Sequence, residues 1–194
     1  MAFFMCIGNR LTLHRKSLSL SENAIHLINF IDMNGAHWHL LMNHIPILFP
    51  AAGLLVMIMS LLMPGGARLR QAAYFLFIIG AVSAYPAMET GEGAEHVMKS
   101  IPGTDKKLIH EHEEMAESLA VVAYILGVLS AICWWAEWKG RAFAKWAYWS
   151  TLVTSFILLI LAYRTGVSGG IIKHQEIRAD WQPTGSNDSS GEHE

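Results

Sequence analysis

Histidines and glutamates are concentrated at the ends of the long apolar segments of this 194-residue chain. Seven of the ten histidines belong to this set: His37, His39, His44, His96, His110, His112 and His174. Eight glutamates accompany them: Glu89, Glu92, Glu95, Glu111, Glu113, Glu114, Glu117 and Glu176. Neutral imidazole is the commonest protein ligand for zinc, copper and iron, and carboxylates join it in many metal sites. These residue types therefore predict a site for a divalent transition metal or for haem b.

His44 has the position most typical of a ligand. It lies at the edge of an apolar run, where a polar side chain is costly unless it is partnered. Cofactors of helical bundles are held by side chains on facing helices, so two histidines from different helices would clamp a haem. We therefore expect His44 to be the first haem ligand and His112 to be its partner. His96 is the substitute for His112, and His174 is a fourth candidate.

A metal ion without haem is the alternative. Its expected ligands are His37, His39, Glu89, Glu92 and Glu176. Glu89, Glu92 and His96 would form one helical stripe, since residues three or four apart share a helix face. Gly91 and Gly93 oppose a continuous helix there, because each costs about 1 kcal/mol of helix stability. The sequence contains no recognised zinc spacing and no Glu-x-x-His pair, so a ferritin-like two-metal centre is not expected.

A plainer interpretation is that many of these residues are only solvated polar groups. For His39, His96 and His110 taken singly, the sequence favours solvation over a ligand role. Numerous methionines such as Met57 and Met59 raise the alternative of copper handling, because thioethers favour Cu(I). These methionines lie deep in apolar sequence and form no tight repeat of methionines. They are therefore more typical of side chains that fill the core.

The elements that must position these residues are four apolar segments without Asp, Glu, Lys or Arg, at residues 40–63, 71–88, 118–136 and 146–163. A bilayer core of about 30 Å needs about 20 helical residues. Each segment approaches that length, and in lipid the backbone groups must pair within the segment. The chain is 15% charged, whereas soluble domains are about 25% charged. The predicted fold class is all-α: an integral-membrane four-helix bundle.

Aromatic residues and prolines refine these segments. The aromatics at the junction of the third and fourth segments are expected to form a membrane-interface belt. They are Trp134, Trp135, Trp138, Trp146, Tyr148 and Trp149. Proline removes a helical hydrogen bond, so Pro46 and Pro50 predict a bend near the start of the first segment, just past His44. Pro86 predicts another near the end of the second segment.

The connections between the segments differ in charge. Residues 64–70 and 137–145 are short and basic, whereas residues 89–117 are rich in histidine and glutamate. The positive-inside rule places short basic connections in the cytoplasm. We therefore expect a histidine- and glutamate-rich extracytoplasmic loop at 89–117, with both termini on the same side.

The membrane domain is expected to occupy residues 33–178. Residues 1–32 are unlike the rest, and Met33 directly precedes the histidine-bearing segment, so we expect an N-terminal extension and a true start at Met33. Residues 179–194 are polar and rich in glycine, serine and acids, which predicts a disordered tail. Cys6 and Cys133 form no CxxC or CxxCH motif.

Four motifs resemble one uncharacterised bacterial family. They are HWHLLMNHIPI at 37–47, TGEGAE at 90–95, IHEHEE at 109–114 and GGIIKHQEI at 169–177. The chain resembles the domain of unknown function 2231 family, or a close relative, from about residue 33 to residue 178. The resemblance implies a four-helix protein of the bacterial inner membrane. Some members are joined to cytochrome or ferredoxin-type domains, which implies electron transfer. The positions carried over for testing are His44, Glu92, His112, His174 and Glu176.

The expected function is therefore a redox-associated component of a bacterial electron-transfer system. Its expected partners are membrane lipid and either quinol or respiratory-complex subunits, with Glu89 and Glu92 relaying protons. The alternative is a non-catalytic membrane subunit, or a metal- or small-molecule-binding protein without a redox cofactor. In that case Gly127, Ser130 and Ala131 would pack against a neighbouring helix, giving an oligomer or a larger complex.

Other classes are excluded by the composition and motifs. The formal net charge of −2 gives no basic face for nucleic acid. The chain has no P-loop or HExxH motif, so a hydrolase or transferase is not expected. The apolar segments have almost no polar residues to line a channel.

Overall fold

The computed structural model describes residues 34–178 and Trp181, and this part of the chain is helical apart from short connections. Its helices are α1 (Gly35–Met42), α2 (Ile45–Leu62), α3 (Ala67–Lys99), α4 (Lys106–Trp138), α5 (Ala144–Lys173) and a 3-10 turn (Gln175–Ile177). The expected extension at 1–32 and start at Met33 lie outside the described residues. So does the expected disordered tail at 179–194, Trp181 excepted.

The long helices pack as a four-helix bundle. α3 packs between α2 and α4, α5 packs on α4 and reaches back to α2, and α1 lies mainly against α3. Within the described chain four helical segments are long and apolar enough to cross a membrane, counting α1 and α2 as one. The predicted all-helical fold with four such segments is therefore confirmed.

The bundle has two polar ends. The histidine end comprises residues 35–44, 89–117 and 165–177. The tryptophan end comprises residues 62–70 and 133–149. Because successive long helices run in opposite directions, all four segments contribute residues to each end.

The first apolar segment is broken into two helices by a turn at Asn43–His44. Pro46 explains the break, because it has no N–H to donate to the Met42 carbonyl and its ring would collide with that carbonyl. The helix is thus interrupted at Asn43–His44, next to the position where the sequence predicts a bend. Pro50 and Pro86 lie inside α2 and α3 without ending either helix.

The predicted loop at residues 89–117 is wrong, because most of it is helical. α3 continues to Lys99 and α4 begins at Lys106, so only residues 100–105 connect them. Gly91 and Gly93 are tolerated inside α3 because α1 packs directly on them. A Cβ added to Gly35 of α1 would lie 2.6 Å from the backbone carbon of Gly93. This contact offsets the cost of about 1 kcal/mol that each glycine brings to the helix.

Small residues let the helices approach closely in the core. A Cβ on Gly127 of α4 would collide with the Cβ of Ala81 on α3. A Cβ on Gly80 of α3 would lie 2.5 Å from the Cγ of Pro50 on α2. Gly127 and Ser130, expected to face a neighbouring protein, are therefore buried inside this bundle, whereas Ala131 is exposed.

Large apolar side chains cover the outward faces of the bundle. Examples are Leu48, Leu55, Val82, Val128 and Ile160, each more than 60% exposed. Soluble monomers rarely expose contiguous apolar patches beyond a few hundred Å². Other large side chains fill the inside of the bundle. Met57, Tyr74, Phe77, Leu126 and Leu158 are fully buried.

The tryptophan end is closed by a polar network that the sequence did not predict. The Glu137 carboxylate accepts hydrogen bonds from the Arg70 Nε at 2.7 Å and from the Tyr74 hydroxyl at 3.0 Å. The buried Cys133 Sγ lies 3.2 Å from the Thr151 Oγ1. These contacts join α3 to α4 and α4 to α5.

Most of the expected aromatic belt is exposed at the same end. Trp138 and Trp146 are 73% and 78% exposed. The Lys139 Nζ lies 4.2 Å from the centroid of the Trp138 ring. Tyr148 was expected in this belt, and that prediction is wrong. Its side chain is buried and packs edge-on against Trp149.

Removing the shared acceptor of this network should weaken the bundle. Glu137→Ala leaves the Arg70 guanidinium and the Tyr74 hydroxyl without their partner, so we expect the free energy of unfolding to fall by about 1–3 kcal/mol. The measurement is denaturant unfolding of the detergent-purified protein. Glu117→Ala, an exposed glutamate of the same helix, is the control. Equal stability of the two variants would contradict the assigned role of Glu137.

Candidate functional site

Two half-buried imidazoles lie at the histidine end. His39 lies on α1 and His112 lies on α4. The Nδ1 of His39 lies 3.1 Å from the Ala87 carbonyl of α3. The Nδ1 of His112 lies 2.9 Å from the Ser168 hydroxyl of α5. Four helices thus hold this pair of rings.

Hydrogen bonds define which nitrogen of each ring carries a lone pair. A carbonyl oxygen only accepts, so His39 must donate its Nδ1–H to Ala87. The Ser168 hydroxyl donates to the Thr165 carbonyl at 2.9 Å, so it accepts from the Nδ1–H of His112. In a neutral imidazole this leaves Nε2 as the basic nitrogen. Metal-ligating histidines are oriented in the same way, by donating their other N–H to a carbonyl or carboxylate.

Glycines on the neighbouring helices lie beside the rings. A Cβ on Gly169 of α5 would lie 3.0 Å from the Cε1 of His112. A Cβ on Gly91 of α3 would lie 3.6 Å from the Cε1 of His39. Each ring therefore lies against helix backbone, which limits its rotation and excludes water from one of its sides.

His44, expected as the first ligand, lies in the turn between α1 and α2. It is exposed, and its Nδ1 lies 3.0 Å from the Leu40 carbonyl of its own segment. The structure gives His39, not His44, the half-buried position with His112. A ligand role for His44 stays a prediction from the sequence, and the geometry favours His39.

The other expected haem ligands are exposed. His96 lies on the outer side of α3. His174 ends α5, and its Nδ1 lies 2.8 Å from a carboxylate oxygen of Glu176. The hydrogen bond from its own backbone N–H, followed by the bond from His174, lowers the pKa of the Glu176 carboxyl. These residues lie in local contacts at the surface, separate from the pair of half-buried rings.

The expected metal ligands do not converge. His37 is exposed and its ring contacts the Asn34 side chain at 2.9 Å, while Glu89 and Glu92 are exposed on α3. Among residues 34–178 and Trp181, no group of three or more His, Cys, Asp or Glu side chains is arranged to hold a metal ion. Among the described histidines, His39 and His112 are the two that are half-buried.

A signal for His39 and His112 is present in the sequence, in the glycines of its motifs. Glycines inside helices mark places where another group approaches closely. Gly91 and Gly169 both occur in the quoted motifs, and they are the glycines beside the two rings. Ser168, which orients His112, lies just before the last motif and was not predicted.

Comparisons with known proteins add no relative: no family model, no curated protein and no solved structure matches the chain. The resemblance to the domain of unknown function 2231 family stays a prediction. The candidate site rests on the geometry of its own residues.

Displacing α1 should disturb the site and the bundle together. In Gly35→Leu the new side chain would collide with the Gly93 backbone, and we expect overpacking to cost about 1–3 kcal/mol of stability. Gly166→Leu is the matched control, because a Cβ there meets nothing within 4 Å. The measurement is thermal unfolding of both variants in detergent. If Gly35→Leu melts like Gly166→Leu, the close contact of α1 with α3 is wrong.

Proposed function

We propose that this chain is a multi-pass protein of the bacterial inner membrane that binds haem b between His39 and His112. In this proposal it acts as a redox component of an electron-transfer system. The observation that carries the proposal is the pair of half-buried imidazoles, each with its Nδ1 hydrogen-bonded, at one end of the bundle.

The membrane location is supported by the surface of the bundle. Four helical segments of 28, 33, 33 and 30 residues exceed the length of about 20 residues that crosses a bilayer core. Their outward faces are apolar in the middle, and tryptophans follow at one end. Lipid would cover the apolar faces, and the tryptophans would lie in the interface.

The proposed orientation follows from the charges at the tryptophan end. Arg68, Lys139, Arg141 and Lys145 are exposed there. The positive-inside rule favours a cytoplasmic location for such short basic connections. The histidine end, including Asn34 and residues 174–178, would then be extracytoplasmic.

Haem fits the donor set better than a bare metal ion does. A porphyrin supplies four of the six iron ligands, so two imidazoles complete the coordination. A zinc or copper site would usually take a third protein ligand, which the described residues do not provide. A bound haem b would supply reversible one-electron chemistry. His39 and His112 would hold it, while Ala87 and Ser168 would fix the orientation of the two rings.

The alternative function is a subunit that packs against a larger membrane complex and binds no redox cofactor. One observation favours this alternative. Only 22% of the apolar stretch of α5 is buried inside the bundle, the lowest share among the four segments of the described chain. The outward face of α5 is therefore available to a partner such as a respiratory-complex subunit or a second copy.

The topology can be tested by labelling single cysteines. Cys6 is replaced by serine, and the buried Cys133 stays as an unreactive background. We expect Ser100→Cys, at the histidine end, to react with a membrane-impermeant maleimide on intact spheroplasts. Ala142→Cys, at the tryptophan end, should react only after lysis. The opposite result would invert the proposed orientation, and outside labelling of both would contradict the four spans.

The haem proposal is tested by a reduced-minus-oxidised visible spectrum of the detergent-purified protein, expressed with haem available. We expect a sharp b-type α-band that is lost in His39→Ala and in His112→Ala, because either change removes an axial ligand. His110→Ala is the control, since this residue is exposed two positions from His112 on the same helix.

His44→Ala separates the two assignments of the ligand on the first segment. If the α-band is retained in His44→Ala, the ligand is His39. If the α-band is lost in His44→Ala and retained in His39→Ala, the ligand is His44. A flat spectrum from folded wild-type protein would contradict the haem proposal and favour the subunit alternative.

A further inference from the structure

A groove runs between α4 and α5 on the outer surface of the histidine end. It consists of two adjoining depressions of about 230 Å³ and about 250 Å³. Glu111, Met115 and Arg164 line both depressions, so they form one continuous feature, here called the α4–α5 groove. Ligand pockets for whole drug-sized molecules span about 300–1,000 Å³. Each depression therefore suits one ring or headgroup.

The groove borders the imidazole pair. Ser168 lines it, and the Ser168 hydroxyl is the group that accepts the hydrogen bond from the His112 Nδ1 at 2.9 Å. Thr165 lines the adjoining depression and donates to the Met115 carbonyl at 3.2 Å. A molecule in the groove would thus be separated from the His112 ring by one serine side chain.

The lining of the groove is divided into an apolar part and a polar part. Tyr163, Val167 and Ile171 provide an apolar strip along α5. Arg164 is exposed, and its side chain makes no hydrogen bond or ion pair with any residue that the structure describes. Since Arg164 directly follows the apolar segment 146–163, it would lie where the hydrocarbon of the bilayer meets its polar region. An arginine with five unused donors there favours a ligand with oxygen acceptors.

The charges around the groove favour a neutral ligand. Glu111 and Glu114 line it opposite Arg164, and the Lys107 Nζ lies 3.7 Å from the Glu111 Oε1. The two glutamates balance the two cations. A phosphate would gain Arg164 but would be repelled by both carboxylates, whereas a carbonyl oxygen would gain the arginine without that repulsion.

We infer that the α4–α5 groove binds the headgroup of a lipid-soluble quinone. One quinone carbonyl accepts from Arg164, the ring lies beside Ser168, and the isoprenoid tail follows Tyr163 and Val167 into the lipid. The position of the groove at the bilayer surface rests on the proposed membrane location. Binding itself does not depend on haem, and it places the ligand next to the residue that orients His112.

The test is photolabelling of the haem-free full-length protein in detergent with an azido-naphthoquinone, with menadione as the competitor. Peptides that cover residues 108–118 and 161–171 should carry the label, and menadione should displace it. Arg164→Ala removes the proposed donor, so we expect the menadione concentration for half displacement to rise about tenfold. Val167→Trp fills the apolar strip and should abolish labelling.

Val153→Trp is the matched control, because Val153 is exposed on the same helix and does not line the groove. It should change displacement by no more than about twofold. Labelling of other helices, or unchanged labelling in folded Val167→Trp protein, would overturn the inference. Displacement by phosphatidylglycerol but not by menadione would identify a phospholipid site and also overturn it.

The same experiment distinguishes the two proposals. Labelling of the groove in protein that never binds haem would support the quinone site and contradict the proposed redox function. A haem spectrum without groove labelling would support the haem site and contradict only the quinone site.

Discussion

Helix length governs this architecture. α3 and α4 contain 33 residues each, so each is about 50 Å long, whereas the apolar core of a bilayer is about 30 Å thick. Their central turns carry the apolar surface, and the excess continues as helix on either side of it. The polar residues that a soluble loop would leave loosely placed are therefore fixed on rigid helices, at defined heights and angles. His112 and Ser168 owe their mutual geometry to this continuation.

The two ends of the bundle use this excess length differently. At the tryptophan end an ion pair and a tyrosine hydroxyl converge on Glu137, so strong polar contacts join α3 to α4. At the histidine end the helices meet through glycine backbone, as at Gly35 and Gly93, and through single hydrogen bonds to the rings. At the first end the Glu137 carboxylate is paired with Arg70. At the second end Arg164 has no partner among the described residues.

The sequence was sufficient for the all-helical fold and for the approximate centres of the four apolar segments, because uncharged runs of that length have few alternatives. It failed at residues 89–117, where intrinsic propensity counted against a helix through Gly91 and Gly93. The contact with α1 reverses that preference and is not visible in local sequence. The sequence also favoured His44 over His39 as a ligand, because His44 lies at the edge of an apolar run. Burial in the folded bundle instead depends on which side of α1 faces α3, and His39 lies on that side.

The turn at Asn43–His44 has a mechanical consequence. It separates from α2 a helix of 8 residues, α1, and isolated helices shorter than about 12–15 residues are marginal in water. The order of α1 therefore depends on its docking against α3, and any ligand that engages His39 adds its binding free energy to that docking. Docking of α1 and binding at His39 would therefore be thermodynamically linked. Fraying of α1 would move His39 away from the Ala87 carbonyl while the four long helices stay assembled.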